Sequence, residues 1–214
     1  MSENSLNKKN IILLANGEFP SHNKPLQLLS DAEYIICCDG AANSLKRINK
    51  TPHVIIGDLD SLDKDSINLQ KTKIINIEEQ NNNDLRKALY WISKNMNIQK
   101  LSLLGSTGLR DDHTLGNIAS FLYDKYNFDI EILTDTGRFH VISQSRNITT
   151  FIGQPISLFC ANNKQKITAS GLQYKLKNSS INLYSATLNT AQTTRVKINL
   201  ELDIPVLIYL PYKK

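Results

Sequence analysis

The chain has 214 residues, of which 41% are hydrophobic and 21% are charged, and its formal net charge is +5. This balance is typical of globular proteins, since it is too apolar for disorder and too polar for membrane embedding. Three cysteines without a C-x-x-C pair exclude a disulfide scaffold and a structural zinc site. No apolar run approaches the roughly 20 residues of a membrane helix, and the first one, at residues 11–15, is too short for a signal-peptide core. We therefore expect a cytoplasmic protein without membrane association.

Short apolar runs alternate with helical patterns through the first two thirds of the chain. We predict strands at residues 11–15, 34–38, 53–56, 73–77, 100–104 and 129–133, and helices at residues 24–30, 41–48, 63–70, 85–94 and 114–126. The strands carry apolar residues on both faces, as covered parallel strands do. The alternation predicts a doubly wound, mainly parallel α/β domain, which we place at residues 1–136.

The pattern changes near Thr136, after which no helical periodicity remains. We predict strands at residues 139–143, 156–159, 166–169, 180–184, 196–200 and 205–210, separated by turn-forming segments. Several short strands of this kind predict an all-β sandwich or barrel, which we place at residues 137–214.

Acidic residues follow several of the predicted parallel strands. Because ligands of open α/β sheets bind beyond the carboxyl ends of the strands, we expect these residues to converge on one cleft. They are Asp39, Asp58, Asp60, Asp84 and Asp112. Carboxylates gathered in this way repel one another, and a bound divalent cation resolves the conflict. Carboxylate ligands without a Cys or His cluster favour Mg²⁺.

The segment after the fifth strand has the composition of a phosphate-binding loop. Gly105, Ser106, Thr107 and Gly108 lie between a strand and a helix, where backbone N–H groups can bind phosphate. Arg110 adds a planar cation. Together with a metal, these features indicate phosphoryl transfer. Each feature has a structural alternative: the acids as turn or helix-capping residues, Arg110 as a surface ion pair, and His113 as a hydrogen bonder at a helix start.

Four sequence blocks resemble the thiamine pyrophosphokinase family in order and spacing. They are Asp39-Gly40-Ala41-Ala42-Asn43, the block from Pro52 to Ser61, Asn83-Asp84, and Gly105-x-x-Gly108-x-Arg110-x-Asp112-His113-x-Leu115-x-Asn117. The segment from Ala169 to Leu176 resembles a C-terminal signature of the family more loosely.

The resemblance implies an ATP- and Mg²⁺-binding α/β domain, a thiamine-binding β-sandwich domain, and a homodimer that binds thiamine between its subunits. The reaction would convert ATP and thiamine to AMP and thiamine diphosphate. Asp58, Asp60 and Asp84 would bind the metal, and Arg110 and Asp112 would join them in catalysis. The implied ATP-binding residues are Asn16, Asp39, Gly40, Asn43, Gly105, Ser106, Thr107, Gly108, His113 and Asn117. The implied thiamine-binding residues are Gln80, Asn83 and Asn189.

The sequence departs from the family pattern at two places. Asn81 stands where the family's Asp-Gln-Asp-x-Thr-Asp block has an acid, which bears on a second metal position. Tyr184 and Leu188 stand where a later block has Gly and Ser, which bears on the contacts with thiamine. Tyr174 suits either an aromatic wall for the thiamine cation or a core position.

Three other functions remain open at this point. Asp58-Leu59-Asp60-Ser61 has the Asp-x-Asp pattern of a haloacid-dehalogenase-like phosphatase, although that loop normally follows the first strand. An Mg²⁺-dependent kinase acting on another small alcohol is the second alternative. A nucleotide-binding relative with altered catalysis, or a non-catalytic module, is the third. A nucleic-acid partner is disfavoured, because the basic residues are scattered and acids line the cleft.

Overall fold

Six parallel strands form the sheet of the N-terminal part of the chain in the computed structural model, which describes residues 9–63, 71–79 and 81–213. The strands are β1 (Ile11–Leu14), β2 (Tyr34–Cys38), β3 (Val54–Gly57), β4 (Lys73–Asn76), β5 (Lys100–Leu104) and β6 (Asp129–Leu133). Their order in the sheet is β6-β5-β1-β2-β3-β4. The predicted doubly wound α/β arrangement is confirmed.

This strand order places a topological switch between β1 and β5. The chain adds β2, β3 and β4 on one side of β1, then crosses to the other side for β5 and β6. The loops that leave β1 and β5 therefore lie at one crevice at the carboxyl edge of the sheet, from which the chain continues in opposite directions. Ligands of open α/β sheets bind at such a crevice.

Four described helices accompany the sheet: α1 (Asn23–Ser30), α2 (Ala41–Ser44), α3 (Asp84–Asn95) and α4 (Asp111–Ser120). A 3-10 turn at Leu45–Ile48 extends α2. The helix predicted at residues 63–70 lies, apart from Asp63, outside the described residues. The predicted start of α4 at Thr114 was wrong, because the helix begins at Asp111, and Leu115 of its predicted apolar face is 71% exposed.

Alternating strand residues divide the apolar side chains between the two faces of the sheet. One face joins β1, β2, β3 and β5 to α1 and α2 through buried side chains that include Ile12, Leu29, Ile35 and Ile55. Helix α3 packs against β3 and β2. The spacing of its buried residues Leu85, Ala88, Leu89 and Ile92 gives one apolar helical stripe, as the sequence predicts.

Two antiparallel sheets make up the C-terminal part. One has the order β12-β9-β14-β7 and the other β11-β10-β13-β8. The strands are β7 (Gly137–Ile142), β8 (Arg146–Thr149), β9 (Pro155–Phe159), β10 (Ile167–Ser170), β11 (Leu176–Ser179), β12 (Ala186–Thr190), β13 (Arg195–Leu200) and β14 (Val206–Pro211). Buried residues of both sheets share one core, so the predicted β-sandwich is confirmed.

One predicted strand of this sandwich was wrong. Residues 180–184 contain no strand, and β11 and β12 lie on either side of them. The sequence prediction also missed β8 and β11, which are the edge strands of the second sheet. Their sequences are Arg-Asn-Ile-Thr and Leu-Lys-Asn-Ser. Edge strands bury few side chains, so polar sequences of this kind carry little alternation to detect.

The chain divides into two compact units. One contains the described residues up to Asn117 together with Tyr126–Asp135, and the other contains Ile118–Lys125 and the described residues from Thr136 onward. Within the described part of the chain, no helix has the length and apolar character needed to cross a membrane. All three cysteines are buried and free.

Candidate active site

Three carboxylates meet at the carboxyl edge of the parallel sheet. One oxygen each from Asp39, Asp58 and Asp84 lies within 4.8 Å of the other two. Asp39 follows β2, Asp58 follows β3, and Asp84 opens α3. The predicted convergence of these acids therefore holds for three of the five. Asp60, although only two residues from Asp58, is exposed and lies outside this cluster.

Asp39 is fixed by backbone geometry and by one hydrogen bond. Its Oδ2 accepts from the backbone N–H of Ser61 at 3.0 Å, and its φ of 35° lies in the left-handed region. A Cβ at Gly57 would stand 2.8 Å from the Cβ of Asp39, so only glycine fits there. The Asp39 residue is 3% exposed, and its Oδ1 has no hydrogen-bond partner among the described residues. Burial of a carboxylate oxygen without a partner costs free energy unless a ligand binds to that oxygen.

Lys87 supplies a buried positive charge to the cluster. Its Nζ lies 3.1 Å from Oδ1 of Asp84 and 3.6 Å from Oδ2 of Asp58, and its side chain is 3% exposed. Lys87 was not among the residues predicted from the sequence, because a lysine on an amphipathic helix is usually solvated. Its spacing of three residues from Asp84 was the available signal, since residues i and i+3 share a helix face.

Burial and neighbouring charges shift the ionisation of this pair. Burial raises the pKa of Asp84, and the carboxylates of Asp58 and Asp39 raise it further, against the lowering effect of Lys87. Burial by itself would lower the pKa of Lys87, but the hydrogen bond and charge of Asp84 and the charge of Asp58 outweigh it, so this pKa is raised. The raised pKa favours the charged form of Lys87 beside these carboxylates.

Backbone hydrogen bonds join the loops that leave β1 and β5. Gly17 N donates to Gly105 O at 2.7 Å, and Glu18 N donates to Thr107 O at 2.9 Å. A Cβ at Gly17 would lie 2.4 Å from Gly105 O and 2.6 Å from Thr107 O, so the approach depends on glycine. Neither contact could be predicted from the residue pattern, because both contacts require β1 and β5 to be neighbours in the sheet.

The predicted phosphate loop is a tight turn between β5 and α4. Gly105 and Gly108 have φ values of 65° and 79°, which glycine adopts without strain. The N–H of Gly108 donates to Thr114 Oγ1 at 3.1 Å, so this donor already has a partner. The Oγ of Ser106 is buried and lacks a hydrogen-bond partner in the described part of the chain. A hydroxyl donor thus remains for a ligand of this loop.

Two asparagine side chains link the phosphate loop to α3. Asn117 on α4 donates from Nδ2 to Ser106 O at 2.9 Å. Its Oδ1 accepts from Asn83 Nδ2 at 2.8 Å. Asn83 is also the N-cap of α3, because its Oδ1 accepts from Arg86 N at 3.0 Å. The family resemblance implies that Asn83 binds thiamine and Asn117 binds ATP, whereas the structure places the two side chains in contact.

Arg110 and Asp112 form an exposed ion pair at the start of α4. Arg110 Nε lies 3.1 Å from Asp112 Oδ1, and Arg110 Nη2 lies 2.6 Å from Asp112 Oδ2. The hydrogen bond from Arg110 is the main reason that the pKa of Asp112 falls to about 2. His113 beside them is exposed. This pair matches the surface alternative that the sequence left open for Arg110, and the cation is directed at a carboxylate.

Two other predicted nucleotide-binding residues lie close to the segments that follow β2 and β3. Asn16 places its Nδ2 3.0 Å from the position of a Cβ at Gly40. Asn43 donates to Ser61 O at 2.8 Å and accepts from Asp63 N at 3.0 Å, which ties α2 to the loop after β3. Gln80 lies outside the described residues. Asn81 is exposed, and its N–H donates to Glu79 Oε1.

The donor set of the cluster fits a hard divalent cation. Carboxylate oxygens are the ligands that Mg²⁺ prefers, and the unpartnered Oδ1 of Asp39 supplies one that is already desolvated. The protein thus brings together a candidate cation site and a tight glycine loop, both in the first unit.

Comparison with known protein families identifies both parts of the chain. A family model described as thiamin pyrophosphokinase, catalytic domain, matches residues 26–134. A second, described as thiamin pyrophosphokinase, substrate-binding domain, matches residues 137–209. The chain belongs to the thiamin pyrophosphokinase family. The activity of the chain is accordingly that of a thiamin pyrophosphokinase, which confirms the resemblance carried by the sequence blocks.

Solved structures of the thiamin pyrophosphokinase family share the fold. The Bacillus subtilis thiamine pyrophosphokinase is 22% identical with a TM-score of 0.76, and the match covers 95% of this chain and 99% of that one. The Candida albicans thiamin pyrophosphokinase is 18% identical with a TM-score of 0.77, covering 95% and 90%. The yeast enzyme is 20% identical with a TM-score of 0.73, covering 96% and 87%. No curated protein sequence gives a significant match.

The thiamin pyrophosphokinase substrate-binding region of this chain contains Asn189 and Tyr174. Asn189 is 5% exposed, and its amide pairs with the backbone of Tyr174, accepting from its N at 3.0 Å and donating to its O at 2.7 Å. Tyr174 itself is 61% exposed, so the core alternative for this ring was wrong. The side-chain amide of Asn189 therefore holds the backbone of Tyr174 through two hydrogen bonds.

Proposed function

We propose that the protein transfers the pyrophosphoryl group of ATP to the hydroxyl of thiamine, with Mg²⁺ as cofactor, and releases AMP. One observation carries the metal part of this proposal. The buried Oδ1 of Asp39 has no partner among the described residues, and it lies in a cluster with oxygens of Asp58 and Asp84. A divalent cation would satisfy this oxygen and offset the repulsion among the three carboxylates.

Asp39, Asp58 and Asp84 would hold the Mg²⁺ ion. When bound there, Mg²⁺ would neutralise charge on the phosphate oxygens of ATP. Asp60 remains a predicted ligand, although it is exposed. Its place beside Asp58 on the same loop supports a role once nucleotide is bound. Rigid attachment of the three clustered residues to β2, β3 and α3 supports a preorganised site.

The loop from Gly105 to Gly108 would bind phosphate groups of ATP. The unpartnered hydroxyl of Ser106 and the position of the loop at the switch between β1 and β5 support this role. Arg110 would reach the phosphates after exchanging its contact with Asp112 for one with the nucleotide. Both residues are exposed, so the exchange costs little.

Asp84 is our candidate for the residue that accepts the hydrogen bond of the thiamine hydroxyl. Both oxygens of Asp112 already accept from Arg110, whereas the contact of Lys87 with Asp84 uses Oδ1 alone. The free oxygen of Asp84 would orient the hydroxyl toward the β-phosphorus of ATP. Positioning of the two reactants is the main contribution that a protein makes to such a transfer.

The C-terminal unit would bind thiamine and form the homodimer. Tyr174 offers an exposed ring, held in place through Asn189, on which the thiamine cation could stack. Leu183, Tyr184 and Leu188 are 52%, 77% and 86% exposed on one short stretch of chain, which supports contact with a second copy. The division into a catalytic domain at residues 1–136 and a thiamine-binding and dimerisation domain at 137–214 is part of this proposal.

Product identification tests the reaction directly. Purified protein is incubated with ATP, thiamine and Mg²⁺, and nucleotides and thiamine phosphates are separated by chromatography. We expect AMP and thiamine diphosphate in equal amounts, with both lost in the presence of a chelator. ADP with thiamine monophosphate would instead indicate stepwise kinase chemistry. Release of inorganic phosphate through a phospho-enzyme would favour the phosphatase alternative and contradict the proposal.

A further inference from the structure

Lys87 is an internal cation placed at the carboxylate cluster. Its side chain is 3% exposed, and its Nζ contacts Asp84 at 3.1 Å and Asp58 at 3.6 Å. It extends from the same helix as Asp84, one turn further along, so α3 contributes both an anion and a cation to the cluster. Lysine is rarely buried to this degree unless it is paired, and here both partners belong to the cluster.

The cluster carries a net negative charge. Three carboxylates and one ammonium leave two net negative charges, which one divalent cation would neutralise. A second divalent cation would give the partly buried cluster a net positive charge, which is unfavourable where the dielectric is lower than in water. The ammonium already occupies the space between Asp58 and Asp84 that a second cation would need. Among the three carboxylates of the cluster, only Asp39 has a fully buried oxygen that lacks a hydrogen-bond partner in the described part of the chain.

We infer that Lys87 takes the place of a second metal ion: it holds Asp58 and Asp84 together, limits the nucleotide-free cluster to one divalent cation, and weakens the binding of that cation. The inference rests on the proposed function in so far as the cluster binds a divalent metal. It makes Lys87 a positioning residue, because it acts through the two carboxylates.

Mn²⁺ binding to the full-length protein without nucleotide tests the inference. Free Mn²⁺ is followed by its electron paramagnetic resonance signal as protein is titrated, which reports metal affinity and stoichiometry independently of activity. The wild-type protein should bind one Mn²⁺ tightly per chain. Lys87→Met should bind Mn²⁺ about tenfold more tightly or better, because a positive charge within a few ångströms of the metal has been removed.

Lys94→Met is the matched control. Lys94 lies on the same helix, is exposed, and directs its Nζ toward the ring of Tyr90, with 5.6 Å to the centroid. Its removal takes the same charge from α3 at a screened position, so Mn²⁺ affinity should remain at the wild-type value. Lys87→Arg keeps the charge and should also remain close to wild type.

Each outcome distinguishes the inference from the proposed function. If wild type binds Mn²⁺ but folded Lys87→Met binds it no more tightly, the inference fails and the metal site stands. If Lys87→Arg tightens binding as much as Lys87→Met, charge is not the cause and the inference also fails. A wild-type stoichiometry of two tight ions would overturn it even if Lys87→Met does not fold. Absence of Mn²⁺ binding by wild type would overturn both the inference and the proposed metal site.

Discussion

Asn83 Nδ2 donates a hydrogen bond to Asn117 Oδ1 at 2.8 Å, which joins the helix of the carboxylate cluster to the phosphate loop. On one side, Asn83 caps the helix that begins with Asp84. On the other side, Asn117 donates to the carbonyl of Ser106. These two hydrogen bonds therefore connect the phosphate loop to the start of α3.

Substitutions at Asn83 should separate the capping role from the linking role. Asn83→Ala removes both, so it should lower the free energy of unfolding by about 1 kcal/mol through the lost cap and raise the KM for ATP. Asn83→Asp keeps an oxygen for the N–H of Arg86 but has no donor for Asn117. We expect the aspartate variant to recover the stability, measured by urea unfolding, while its KM for ATP stays raised. Recovery of both quantities would show that the link to Asn117 has no functional role.

Gly17→Ala should lower kcat/KM by about tenfold to a hundredfold, because displacement of a substrate-positioning loop by about 1 Å has effects of this size. The new Cβ would meet Gly105 O at 2.4 Å and Thr107 O at 2.6 Å, both backbone atoms that cannot turn aside. Steady-state kinetics with varied ATP measures the effect.

Gly116→Ala is the control for this substitution. Gly116 lies inside α4, and a Cβ there meets nothing within 4 Å. Alanine is more favourable than glycine in a helix interior by roughly 0.5–1 kcal/mol, so this variant should gain stability and keep its kcat/KM. Equal kinetic losses in the two variants would mean that the approach of Gly17 to the loop does not control phosphate binding.

Asp58→Asn should reduce turnover by about a thousandfold or more, since it removes a charge from the metal site while preserving shape. The family resemblance makes Asp60 a metal ligand as well, so the same loss is expected for Asp60→Asn, although Asp60 is exposed and outside the cluster. Turnover as a function of Mg²⁺ concentration, with circular dichroism to verify the fold, measures both variants. Near-normal turnover of Asp60→Asn with an unchanged Mg²⁺ dependence would remove Asp60 from the metal site.

Two members of the carboxylate cluster could be predicted because each directly follows a strand, whereas the third, Asp84, lies at the start of α3. Asp39 and Asp58 directly follow apolar runs that became β2 and β3, and the carboxyl ends of parallel strands lie at one edge. Lys87 could not be predicted in the same way, since its burial depends on how α3 is rotated against β2 and β3. Similarly, the contact of Gly17 with Gly105 requires β1 and β5 to be neighbours, which no local pattern specifies.

The sequence predictions that were wrong also have physical causes. Leu115 has the spacing of a buried helical residue, but α4 buries no residue along its length in the described structure. The polar edge strands β8 and β11 contribute few side chains to the core, so their sequences lack the alternation that marks central strands. Hydrophobic periodicity predicts which helices and strands form, and it is less informative about which other elements pack against them.

His53 should make the stability of the first unit depend on pH. Its Nδ1 accepts a hydrogen bond from Ile35 N at 3.1 Å, and its ring stacks on Tyr34 with centroids 4.5 Å apart. Burial, aided by the charges of Lys9 and Lys50, lowers the pKa of His53 from its ordinary value. The unfolded chain therefore binds a proton more readily, and the contribution of neutral His53 to stability is complete above about pH 6.5 and declines as the pH falls toward the folded-state pKa.

Urea unfolding followed by the fluorescence of Trp91 measures this effect, since the single tryptophan of the chain lies on α3 of the same unit. The unfolding midpoint of the wild type should decrease between pH 7.5 and pH 5.5. In His53→Asn, an amide oxygen can replace Nδ1 as the acceptor and does not titrate, so the decrease should be smaller. Nuclear magnetic resonance titration of the His53 ring should give a pKa below about 6.5. An equal pH dependence in both proteins would assign the loss of stability to other groups, because His53 is the only titrating residue that the substitution removes.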